Sequence, residues 1–148
     1  MNRIYIALYI GGNMENKNYG TLQIRSYTAS GALPVKDAVV KITGAEESNS
    51  YIQYSILTDS DGITKQIALP TARKEYSLSP NPKEAPYSIY DATISKEGYY
   101  TKSIKSIPIF EFTNAFLPIE MIPLSYDENG KIHDLSNINT TVYENEFL

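Results

Sequence analysis

From residue 20 onward the chain alternates. In "TLQIRSYT", Leu22, Ile24 and Ser26 fall on one side of an extended backbone, and Gln23, Arg25 and Tyr27 on the other. Successive side chains of a strand point to opposite faces, so this spacing predicts a half-buried β-strand. The pattern recurs in "AVVKIT", "YIQYSILT", "ITKQIAL", "YSIYDATIS", "YYTKSIKSIPI" and "NAFLPIEMIPL". Turn formers separate the runs: Gly31 and Pro34 in "ASGALPV", then Gly44 with the polar "AEESNS", then "DSDG" and "KEG". No apolar spacing of 3.6 residues persists anywhere, so no amphipathic helix is expected. Seven short strands bounded by turn residues predict an all-β fold, a sandwich or a barrel. Pro118 and Pro123 in the last run suit an edge or bulged strand.

Three regions depart from this rhythm. Residues 70–86, "PTARKEYSLSPNPKEAP", contain Pro70, Pro80, Pro82 and Pro86. Those prolines exclude a central strand or a long helix, so an extended excursion across the sandwich is expected, pinned by Tyr76 and Leu78. After Leu124 the apolar residues scatter among Asn, Asp and Glu, which predicts a flexible polar C-terminal tail or linker, with a short strand at "TTVYENEF" as the alternative. Residues 1–19 read as a leader or an extra edge strand. The apolar run Ile4 to Ile10 falls short of the roughly 20 residues a membrane span needs. No small-x-small cleavage site follows it. Met14 is a candidate native start, because Gly11-Gly12-Asn13 can be encoded by a string like a bacterial ribosome-binding site. The expected organisation is therefore a leader or edge strand at 1–19, a sandwich at 20–124 and a tail at 125–148. With no export signal recognised, a bacterial cytoplasmic or spore-associated location is expected.

Composition narrows the chemistry. The 148 residues suit one domain. There is no cysteine, which removes thiol catalysis, Cys-zinc sites and disulfides. The one histidine, His133, leaves little material for a Ser-His-Asp triad or a two-His metal site. A net charge of −4 without a basic block argues against nucleic acid as a partner. Thirteen tyrosines and no tryptophan lean toward pleated, half-buried surfaces.

The most suggestive polar cluster is Asp59-Ser60-Asp61-Gly62. Asp59 and Asp61 echo the first half of an EF-hand loop, which makes them calcium candidates. That loop also needs a further acidic ligand and a closing bidentate Glu, and here Lys65 stands where ligands are wanted. Two carboxylates on one turn are also not held at a fixed separation around a substrate. A hairpin turn explains the same residues: aspartates cap the backbone, and glycine supplies a positive φ. No catalytic residue, cofactor or metal is expected. His133, Glu46-Glu47 and Lys83-Glu84 read as solvated polar groups, and Asn139 heads a glycosylation sequon. Tyr87, Tyr90 and Tyr99, with Tyr76 and Leu78, form the candidate binding surface for a glycan or a protein partner, with core packing the competing expectation for most of the tyrosines.

Three pieces in order carry a resemblance: "LPVKDAVVKITG", "LTDSDGITKQIALP" and "YSIYDATISKEGYYTKSI". Over residues 20 to 124 the chain resembles the carboxypeptidase regulatory-like domain, a transthyretin-like (prealbumin-like) β-sandwich, which implies a seven-stranded Greek-key β-sandwich and not a barrel. That family usually has glycine before the alanine of the first piece; here the residue is Asp37. With "YSLSPNP" and "LPIEMIPL" added, the chain is similar to the non-catalytic N-terminal domain of clostridial spore cortex-lytic enzymes and related spore peptidoglycan proteins. The resemblance implies a non-catalytic accessory module whose partner is peptidoglycan or a spore or envelope protein, without membrane insertion. A purely structural spacer is the alternative. The transthyretin-like hydroxyisourate hydrolases share the fold, but their closing motif and histidines are missing here.

Overall fold

The computed structural model describes residues 18–72 and 86–133. Eight strands form in this span: β1 (Asn18–Thr28), β2 (Leu33–Pro34), β3 (Val39–Gly44), β4 (Gln53–Leu57), β5 (Ile67–Thr71), β6 (Tyr87–Ser95), β7 (Lys102–Phe110) and β8 (Asn114–Glu120). No α-helix is present among the described residues. The chain is thus an all-β sandwich of two sheets. The strand beyond the seven expected is β2, two residues inside the "ASGALPV" turn.

β1 is the axis of the first sheet. β8 lies on one side of it in parallel, from Thr21 opposite Asn114 to Tyr27 opposite Glu120. The other side is shared by β5, antiparallel to the start of β1, and β2, antiparallel to its end. The second sheet runs β4-β3-β6-β7, antiparallel throughout. Its β6–β7 ladder shifts register between Tyr90 and Ala92, where Ser106 takes a φ of 60°. Asp91 holds this bulge, accepting from the Ser106 N–H at 3.0 Å and from Lys105 Nζ at 3.3 Å.

The alternation that predicted the strands also builds the core. Leu22, Ile24, Ile67, Leu69, Leu117 and Ile119 of the first sheet face Val40, Ile42, Ile94, Ile104 and Ile109 of the second, all buried. Burying each such side chain contributes about 2 kcal/mol, so a one-residue slip of any strand would cost several of these at once. Pro118 fits because of ladder phase. Thr21 N donates to Thr113 O, and Met121 N donates to Tyr27 O. In a parallel ladder those two bonds leave residues 114, 116, 118 and 120 aimed away from β1. Proline's missing N–H therefore falls on the free side of an edge strand.

Several boundaries differ from expectation. The fourth predicted run starts as a strand only at Ile67, because Thr64 is bonded across to β1: its N–H donates to Ile24 O, and its Oγ1 accepts from Ile24 N. Pro70 and Thr71 belong to β5 and not to an excursion; residues 73–85, with Tyr76, Leu78 and Lys83-Glu84, lie outside the described span, as do 1–17 and 134–148. The start of the expected flexible tail is ordered. Tyr126 bridges Ile132 around a turn at Asp127–Gly130, and the Tyr100 hydroxyl donates to His133 O at 2.8 Å. Asp37 has a φ of 57°, the left-handed conformation that glycine adopts freely and aspartate tolerates.

Candidate binding surface

The expected tyrosine surface does not assemble. Tyr90 is fully buried, and its hydroxyl donates to the Pro70 carbonyl. It sits on the inward face of β6, in phase with Ala92 and Ile94, so alternation itself places it in the core. Tyr99 packs against the core and bridges Pro123. Tyr87 is half-buried, its ring 5.3 Å from that of Phe110 at an interplanar angle of 53°. Tyr76 and Leu78 lie outside the described residues. Glu46 is not merely solvated either: its Oε2 accepts from Ile89 N at 3.0 Å, while Glu47 remains exposed.

Asp59 is occupied within its turn. One carboxylate oxygen accepts from the N–H groups of Asp61 and Ile63 at 2.9 and 3.0 Å, and Gly62 follows with a φ of 74°. Asp61 is exposed. No group of three or more His, Asp or Glu that could hold a metal ion occurs among the described residues.

Tyrosines gather inside instead. Burial pushes the Tyr54 hydroxyl up to about 12, with Tyr19 and Tyr51 adding to the rise. Tyr90 moves up too, through burial first and then neighbouring Tyr54. These hydroxyls stay protonated at neutral pH. A phenol held in its neutral form is a hydrogen-bond donor and not a nucleophile or base. The hydroxyls of Tyr19 and Tyr54 are buried without a hydrogen-bond partner among the described residues.

The exposed aromatic surface lies elsewhere, on the outer face of the β8–β1 pair. Alternation that buries Leu117 and Ile119 turns Phe116, Pro118 and Glu120 outward, and Phe116 is 48% exposed. Register sets Phe116 beside Gln23, Pro118 beside Arg25 and Glu120 beside Tyr27. The Arg25 guanidinium carbon lies 5.5 Å from the centre of the Tyr27 ring, and Thr21 Oγ1 donates to Asn114 at 2.6 Å. The result is an outward strip that carries Phe116, Pro118 and the Arg25-covered Tyr27, edged by amide, guanidinium and carboxylate groups. Such a strip can stack on a sugar ring or an apolar side chain while its polar edge offers hydrogen bonds. Sequence reasoning missed it because nothing local announces that residues 114–120 lie beside 21–27. The exposed half of the "NAFLPIE" alternation was the one available signal.

No family model matches this chain, and comparison with curated proteins returns no match. Solved structures do match. The Bacillus anthracis TIE protein is 16% identical with a TM-score of 0.48, over 79% of this chain and 24% of that one. Hydroxyquinol 1,2-dioxygenase from Pseudomonas putida DLL-E4 is 9% identical with a TM-score of 0.49, over 74% and 58%. The shaft pilin spaA from Lactobacillus rhamnosus GG is 12% identical with a TM-score of 0.44, over 75% and 48%. The chain spans less than two thirds of each of these structures. These are likenesses of chain path, and the sandwich assignment rests on the sheets described above.

Proposed function

We propose that this chain is a non-catalytic β-sandwich accessory module that docks on peptidoglycan, or on a protein, of a spore or cell envelope. The observation that carries the docking role is the Phe116–Pro118 strip beside Arg25 and Tyr27. An aromatic flanked by polar hydrogen-bonding groups is suited to carbohydrate, and Arg25 is suited to the carboxylates of peptidoglycan stems. The spore and envelope setting is suggested by the narrower likeness to spore cortex-lytic proteins, carried by pieces that include "YSLSPNP" and "LPIEMIPL". The non-catalytic reading is supported by the engagement of the Asp59 carboxylate in its own turn.

Co-sedimentation of the full chain with purified spore-cortex and vegetative peptidoglycan tests this. Saturable binding is expected to weaken about tenfold in Phe116→Ala and in Arg25→Ala, the loss typical of an interface anchor. No saturable binding to either material would transfer the role to a structural spacer. Turnover of any substrate abolished by Asp61→Asn would overturn the non-catalytic reading.

A further inference from the structure

The strands at the sheet edges are not alike. β2 carries Pro34, β5 Pro70, β7 Pro108 and β8 Pro118. β7 adds Lys102, Lys105 and the bulge at Ser106, and β8 adds Glu120. Prolines, charges and bulges at an edge deny a neighbouring strand the N–H groups and flat backbone it needs. β4, "QYSIL", is the one edge among the described strands with neither a proline nor a charge.

Its ladder phase is fixed at both ends. Gly44 N donates to Ile52 O, and Thr58 N donates to Ala38 O, each at 3.1 Å. Bonded pairs alternate along an antiparallel ladder, so Tyr54 and Ile56 also turn their backbone groups toward β3. Gln53, Ser55 and Leu57 then aim three N–H and three C=O groups away from the sheet. All three residues are exposed, Leu57 at 54%. Acidic side chains flank the edge in the chain: Glu47 ahead of it and Asp61 after it, both exposed, with Asp59 adding charge while one of its carboxylate oxygens is held in the turn.

We propose that the β4 edge takes an extended peptide as a fifth strand of the β4-β3-β6-β7 sheet. The peptide would have an uncharged, β-prone centre of about five residues and a basic residue at each end. The free backbone groups supply the ladder, and the acidic flanks select the basic ends. A second copy of this chain fits less well. Two-fold pairing about Ser55 would bring the Asp59–Asp61 end of one copy to the Glu47 end of the other. Like charges facing across an interface count against a partner. This edge belongs to the opposite sheet from the Phe116 strip, so peptide binding and peptidoglycan binding can fail separately.

The test is fluorescence anisotropy of a labelled Lys-Thr-Val-Thr-Val-Thr-Lys peptide with the full chain, with a Glu-ended peptide as comparison. Micromolar binding is expected for the Lys-ended peptide, at least about tenfold tighter than for the Glu-ended one. Ser55→Pro removes an outward N–H that β3 does not use, so it is expected to fold and to weaken binding at least tenfold. Should Ser55→Pro not fold, Leu57→Lys places a charge at the edge and is expected to have the same effect. Slowed hydrogen exchange at Gln53, Ser55 and Leu57 on peptide addition locates the contact. No binding, binding unaffected by both variants, or a dimer in sedimentation velocity that Ser55→Pro dissolves would each overturn the proposal.

Discussion

Two turns in this chain use the same hydrogen bonds and have different weight. In "DSDGI" (59–63), the Asp59 N–H donates to Ile63 O, Gly62 N donates to Asp59 O, and the Asp59 carboxylate accepts from residues 61 and 63. In "DENGK" (127–131), Asp127, Asn129, Gly130 and Lys131 repeat every one of those bonds, with distances within 0.2 Å of their counterparts. The two glycines have φ values of 74° and 76°. The surroundings differ. A Cβ on Gly62 would lie 2.3 Å from the Ser26 carbonyl oxygen, and Gly62 O accepts from Ser26 N at 2.7 Å. A Cβ on Gly130 would meet nothing within 4 Å. An aspartate, a gap and a glycine are enough to make such a turn. Whether the fold depends on it is decided by what packs against it.

Substitution separates the two. Gly62→Ala combines left-handed strain with a backbone clash and is expected to cost about 3 kcal/mol, lowering Tm by roughly 10 °C in a thermal melt. Gly130→Ala carries only the strain, about 1 kcal/mol, and that falls on the peripheral hairpin. Equal Tm losses for the two alanines would break the comparison. Asp59→Ala is expected to destabilise the whole domain by about 1 kcal/mol, through lost turn bonds. Asp127→Ala should leave Tm within a degree or two and speed hydrogen exchange only around Asn129 and Lys131, since local opening there does not need global unfolding.

The same division between packing and bonding runs through two tyrosines. Tyr100, at the rim, holds the Asp127 hairpin: its hydroxyl donates to His133 O at 2.8 Å and accepts from Ser125 N at 3.3 Å. Tyr54, in the core, has no hydrogen-bond partner for its hydroxyl among the described residues. Folding raises the Tyr54 pKa from 10.0 to about 12, so the unfolded chain loses this proton first as pH climbs. Its ionisation takes nothing from the folded state's stability below pH 10, and stability falls between pH 10 and 12 as the unfolded chain ionises and the folded one resists. Tyr54→Phe is expected to blunt that alkaline loss in denaturation curves at pH 9 and 11.5. At neutral pH it should be neutral or slightly stabilising, because it deletes a buried unpaired group. Tyr100→Phe, the smallest effect, should free the hairpin to exchange while the melt is nearly unchanged.

Much of this was legible in the residues. Alternation in "TLQIRSYT" and "AVVKIT" foretold β1 and β3 and their inward sides, because a period of two has one apolar phase. The turn chemistry of Asp59 and Gly62 was legible for the same local reason. Tyr90 was misread as a surface residue although its phase matches Ala92 and Ile94: tyrosine's polar hydroxyl obscured a position that alternation had already assigned. Phe116 could not be placed, because its neighbours come from a strand more than 90 residues earlier.

The sequence by itself determined which residues extend, which faces turn inward, where the chain bends, and that thiol and multi-histidine chemistry are absent. Each of these depends on covalent geometry and on contacts a few residues apart. Only the tertiary structure decided that β8 lies parallel to β1, that Pro118 falls on the free side of an edge, and that β4 alone among the described edges is left unguarded. Strand order and ladder phase are set by which long-range pairings bury the most apolar surface together. That sum runs over the whole sandwich, and no single stretch of the chain contains it.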